Sequence, residues 1–195
     1  MAITKDREYR SFNFEESEDL IVEGVPIVFN QPTEVYEIDG IKYYEVIERG
    51  ALDSADMSDV VLNVDHVGKP AAKTKNGTLE LTVRDNDVFM RADLSKNATG
   101  RELKEDITNG FFDKMSFAFT IDDETYDREN RTRVIKKIKR LYDVSAVTIP
   151  AYNQTEIYSR SFFEVEAEKE RMELRMKEEE ISKLKLRIKL GGKLC

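Results

Sequence analysis

The chain of 195 residues has no tryptophan, one cysteine and one histidine, and each shortage removes a class of chemistry. The cysteine is Cys195, so no disulfide can form within the chain and no thiolate zinc cage can be built. With His66 as the sole histidine, a zinc site of two or three imidazoles is also excluded. Any reaction that uses an imidazole base must use His66. No apolar run approaches the ~18–20 residues needed to cross a bilayer. Met1 to Arg10 mixes charges without an apolar stretch, which predicts a chain with no signal peptide, made in a reducing cytosol. Bases are outnumbered, 31 against 39 acids for a net charge of −8. An acidic chain is a poor general ligand for phosphate backbones, and nothing in it asks for a cofactor, a metal, a nucleic acid or a membrane.

What is present is 40% hydrophobic and 36% charged, enough for one domain with a core plus an appendage that carries the excess charge. Residues 1–19 are polar and read as a frayed or edge segment. Leu20 to Phe29 is β-branched and reads as a strand broken by Gly24 and Pro26. Gln31 to Gly40 reads as a loop, and Ile41 to Ile47 as a second strand. A short helical turn follows from Gly50, then an apolar strand from Val60 to His66. Gly68 to Asn76 is expected to be a loop, with a turn at Asn76-Gly77. Thr78 to Val83 and Val88 to Leu94 alternate as a meander. Thr99 to Asn109 carries the helical spacing Leu103/Ile107, with Ser95 or Thr99 as cap and Gly110 as stop. Lys114 to Ile121 is a strand, 122–133 a polar hairpin tip, and Val134 to Ile138 and Leu141 to Ile149 are further strands, the last ended by Pro150.

Beyond Ser161 the composition changes. Residues 164–180 hold eight acids and four bases, whereas 181–195 hold five bases and no acid. This predicts a helix with charges placed as its dipole favours. Leu174, Ile181 and Ile188 repeat every seven residues with Leu184 offset by three, a short coiled-coil seam. Arg128 to Arg140 holds seven bases and one acid. It reads as a solvated hairpin, or as a surface for an acidic partner.

A nucleophilic hydrolase needs a hydroxyl near an imidazole and a carboxylate to hold the ring. Ser116 is the serine set in an apolar strand, between Met115 and Phe117. Such a hydroxyl is either satisfied locally or functional. Asp65 adjoins His66, but successive strand residues face opposite ways. Asp143 lies in an otherwise apolar run and suits the role better, with a salt bridge to Lys139 or Arg140 as the structural alternative. Ser145 shares its face and is the second candidate nucleophile. Gly110 and the Gly100-Arg101 turn are candidate oxyanion donors.

Seven segments stand in a telling order: GVPIVFN from Gly24, ERGAL from Glu48, VVLNVDH from Val60, NGTLEL from Asn76, GREL from Gly100, KMSFAF from Lys114 and LYDVSAVTIPAY from Leu141. Together they resemble the prohead proteases of tailed bacteriophages, over about residues 8–158. The resemblance implies an α+β fold similar to herpesvirus assemblin, with a β-barrel-like core, surrounding helices and here a C-terminal helix. It implies a protease domain over 1–160 and a charged helical arm over 161–195. By the family's motifs, His66 is the base, Ser116 the nucleophile and Asp143 the acid, where many members carry Glu. Assemblins use a second histidine as third member, which this chain lacks. The implied activity is a serine endopeptidase that removes the scaffolding segment of the major capsid protein, and cleaves itself, inside the assembling procapsid in the host cytoplasm. Self-association and recruitment into the shell through the arm are expected. A non-catalytic assembly module acting through that arm, and a β-rich binding domain without a viral role, are the competing expectations.

Overall fold

The computed structural model describes residues 8–16, 20–148 and 156–191, which form ten strands and two α-helices. In chain order these are β1 (Glu8–Glu16), β2 (Ile21–Val28), β3 (Thr33–Ile38), β4 (Ile41–Ile47), β5 (Val61–Val64), β6 (Val67–Lys73), β7 (Leu79–Val83), β8 (Asp87–Asp93), α1 (Ala98–Thr108), β9 (Lys114–Asp127), β10 (Thr132–Val147) and α2 (Glu156–Gly191). The strand end expected at Ile149 and Pro150 lies outside the described residues.

The two longest strands organise the sheet. β9 and β10 pair antiparallel along their whole length, with register shifts between Ile135 and Asp143. The expected tip at 122–133 is therefore mostly strand. The turn is only Arg128 to Arg131, held by Asp127, which accepts from the N–H groups of Glu129 (3.0 Å) and Asn130 (3.2 Å). Likewise the two strands expected from Val134 and Leu141 are one bulged strand. The far edge of β10 is shared. Its first residues pair parallel with β4, its last residues pair parallel with β5, and Asp56 bridges to Arg140 between them. β1 pairs with the near half of β9 and then with β2, followed by β8 and β7.

Three segments read from sequence as irregular are strands. β1 is an interior strand with a partner on each side. β3 forms a hairpin with β4 through Asp39-Gly40, both at positive φ (52° and 78°), a two-residue turn whose twist suits hairpins. β6 pairs with β5 alone. Its exposed Pro70 lies in an edge strand, where a missing N–H is tolerated.

The path β6-β5-β10-β9-β1-β2-β8-β7 curls until β6 approaches β7 without pairing to it, so the sheet is barrel-like but open. Its interior holds Ile27, Leu62, Met90, Leu94, Phe117, Phe119, Ile138 and Val144, all fully or almost fully buried. α1 closes one end. Asn97 is its cap, in place of the expected Ser95 or Thr99, and accepts from the N–H of Gly100 at 2.6 Å. Gly100 is required there, because a Cβ would lie 2.5 Å from the carbonyl oxygen of Leu94.

The outer halves of β9 and β10, with β3 and β4, form a second platform. On it the first turns of α2 bury Phe163 against Tyr43, 5.1 Å between ring centroids, with Ala167 beside them. The basic hairpin meets the acidic part of α2 here: Arg128 with Glu173 (2.9 Å) and Glu166 (3.8 Å), Arg131 with Glu170 (3.7 Å), and Arg171 of the helix with Asp39. The buried Arg133 pairs with Glu124 (2.6 Å) and lies 4.6 Å over the ring of Phe162. Arg128, Arg131 and Arg133 are thus committed within the chain. From Leu174 onwards every described side chain of α2 is exposed, so the unsupported part of the helix begins well beyond residue 161. No helix among the described residues is long and apolar enough to cross a membrane.

Candidate active site

The site is built on the face of β9 and β10 that points away from the main core. Met115, Phe117 and Phe119 enter that core, and the period of two turns Ser116 and Ala118 the other way. The same alternation on β10 places Asp143 and Ser145 together, since Val144 and Ala146 are core residues.

Register then aligns four polar residues across four strands. Asn63 of β5 stands opposite Ser145 of β10, Ser145 opposite Ser116 of β9, and Ser116 opposite Ser11 of β1. Neighbours in such a row have Cβ atoms about 4.5–5.5 Å apart. Ser116 and Ser145 have no exposed surface and Asp143 is 3% exposed.

His66 arrives by a different device. It is not in a strand, as the sequence suggested, but in the two-residue turn between β5 and β6, with Val64 paired to Val67. Asp65 and His66 both have positive φ, 45° and 59°. Two adjacent non-glycine residues in the left-handed region carry local strain, which the surrounding structure must hold. The turn is tied to β10 by the Asp65 N–H, which donates to the Ala146 carbonyl at 2.9 Å. It brings the imidazole back over the sheet, where Nδ1 lies 2.5 Å from Oδ1 of Asp143. Asp65 itself is exposed at the turn.

The carboxylate is further fixed by Ser145, whose Oγ donates to the same Oδ1 at 2.9 Å. Arg140 is engaged elsewhere, with Asp56 at 3.5 Å. By contrast, Ser116 Oγ is buried with no hydrogen-bond partner among the described residues, as is Oδ1 of Asn63. A desolvated hydroxyl without a partner costs about 1–3 kcal/mol, so its retention calls for a reason.

The sequence reading missed Asn63. Only the parallel pairing of β5 with β10 brings it into the row, and nothing in the local pattern announces that pairing. The candidate oxyanion donors are corrected. The N–H of Gly100 is spent on Asn97, and that of Gly110 on the Ile107 carbonyl at 3.0 Å. Both groups close the ends of α1 and are not free for an oxyanion.

An imidazole held by a carboxylate, with a buried, unpartnered serine on the same face of a β-rich α+β scaffold, is the equipment of a serine hydrolase. Residues 6–171 match the family model of the caudovirus prohead serine proteases, and the chain belongs to that family. Among solved structures it is similar to the capsid assembly protease gp21 of bacteriophage T4, with a TM-score of 0.51 and 14% identity, over 74% of this chain and 98% of that one. At this identity the likeness speaks for the fold. No curated protein matches the sequence.

Proposed function

We propose that the chain is a serine endopeptidase in which Ser116 is the nucleophile, His66 the general base and Asp143 the residue that holds the imidazole. The observation that carries this reading is the contact of 2.5 Å between His66 Nδ1 and Asp143 Oδ1, on the sheet face that also carries the buried, unpartnered Ser116. With Nδ1–H donating its hydrogen bond to the Asp143 carboxylate, Nε2 is left with the lone pair that can take the Ser116 proton. Ser116 Oγ then attacks the scissile carbonyl, and the tetrahedral intermediate collapses as the imidazolium returns its proton to the leaving amine. Water, activated in turn by His66, releases the acyl group and regenerates Ser116. The buried Asp143 stabilises the imidazolium in both halves of the cycle. Ser145 is the weaker candidate nucleophile because its proton is already committed to Asp143.

Family membership supports a role in capsid maturation, with the scaffolding segment of the major capsid protein, and the protease itself, as substrates inside the procapsid. The test is co-expression with the major capsid precursor of the same phage. Wild type is expected to shorten the precursor at a defined site, and Ser116→Ala to leave it intact while folding normally. Normal processing by Ser116→Ala, with Ser145→Ala inactive, moves the nucleophile to Ser145. No processing by any folded form leaves the fold to a non-catalytic assembly role.

A further inference from the structure

The free end of α2 carries a surface that the body of the protein does not use. Contacts of the helix with the platform run through Glu173, which bonds Arg128 at 2.9 Å. Beyond it, Leu174, Ile181, Leu184 and Ile188 are 51–68% exposed and fall on one seam of the helix. A solvated helical segment of this length is marginal alone, and an apolar seam exposed along it calls for a partner.

The structure and the charge pattern commit that partner to a second copy of the chain, running antiparallel. We propose that residues 174–191 pair with the same segment of a second molecule, Ile181 of each packing against Leu184 of the other. The charges beside the seam favour this direction. In heptad terms Glu178 and Lys185 occupy equivalent flanking positions, which face each other across an antiparallel pair. Glu178 of each copy then meets Lys185 of the other, giving two opposite-charge contacts by symmetry. A parallel pair would instead set Glu173 against Glu178 of the second copy, like against like, which offsets its contact of Glu180 with Lys185.

Length agrees as well. The segment spans about 27 Å at 1.5 Å per residue. With Ile181 opposite Leu184, Leu174 of one copy lies opposite Gly191 of the other. The seam is two heptads long and Lys177 occupies one of its core positions, so the pairing is reversible and weak.

Sedimentation equilibrium of the full chain tests this, from low micromolar to roughly 300 μM. The expected result is a monomer–dimer equilibrium between 22.6 kDa and twice that mass. Leu184→Asp, at an exposed position that spares the fold, is expected to leave only monomer. Glu178→Lys and Lys185→Glu should each weaken the dimer about tenfold, and the two together in one chain should restore it. A parallel pair predicts no such restoration. Monomer at every concentration overturns the proposal, as does a dimer insensitive to Leu184→Asp. Co-sedimentation of a monomeric chain with capsid precursor, lost in Leu184→Asp, gives the seam to a capsid partner and overturns it equally.

Discussion

At the scale of single residues, the account depends on three side chains drawn from distant places. Ser116 and Asp143 come from adjacent strands, but His66 comes from a strained turn. The sequence offered all three as candidates, His66 by elimination and Ser116 and Asp143 by their apolar surroundings, and the resemblance to the prohead proteases supplied the roles proposed for them. What it could not show is that His66 meets Asp143 from a turn, or that Asn63 stands in the same row as Ser145. Those facts depend on register between strands, which no local pattern encodes. The role of Asp143 separates from mere burial by one substitution. Asp143→Asn keeps the shape but offers no charge to an imidazolium, and kcat is expected to fall by about three to four orders of magnitude in folded protein. A loss below tenfold, measured on protein with an unchanged thermal transition, removes Asp143 from the mechanism.

Among the elements, strands rich in apolar residues were legible: β2, β4, β5, β7, β8 and the inner halves of β9 and β10. The polar β1 and the edge strands β3 and β6 were not. β3 and β6 face solvent along one side, so their composition follows exposure more than pairing, and β6 tolerates Gly68 and Pro70 for that reason. The outer half of β9 read as a tip because it projects past β1 and alternates polar residues. Capping shows the same limit. Asp93 ends β8 by accepting from the N–H (3.0 Å) and hydroxyl (2.6 Å) of Ser95, with Lys96 at 3.1 Å. These bonds, the Ser95 hydroxyl first, hold its carboxyl down to about 2. A depressed carboxyl contributes stability above its unfolded value, near 3.9, and loses it as the pH falls through the folded value. Asp93→Asn should therefore unfold at a lower temperature than wild type at pH 7. The gap should narrow below about pH 4 and close near pH 2. A gap that is constant from pH 7 to pH 2 contradicts the capping role.

For the whole molecule, charge explains the arrangement of the arm better than composition did. The acidic first turns of α2 do not dangle; they dock on the basic hairpin of β9 and β10, and Phe163 seals the joint. The contacts of α2 with the body therefore extend past residue 160, as far as Glu173. A chain ending after Glu173 is expected to keep its thermal transition within a few degrees of full length and to process precursor in solution. It should lose self-association. A chain ending after Arg160 exposes Tyr43 and loses the buried Phe163 together with Phe162, over which Arg133 lies. It should be destabilised by about 3 kcal/mol or more, read as a lowered denaturation midpoint. Equal stability of the two truncations would show that the docked turns contribute nothing.

The central claim is that Ser116 is the activated nucleophile, and covalent labelling tests it most directly. Protein that is processing its capsid precursor is treated with a fluorophosphonate, digested, and the modified residue mapped by mass spectrometry. The account predicts the adduct on Ser116, no adduct in Ser116→Ala, and a rate of labelling in His66→Ala reduced as far as its rate of cleavage. An adduct on Ser145, or labelling that persists unchanged in His66→Ala, contradicts it.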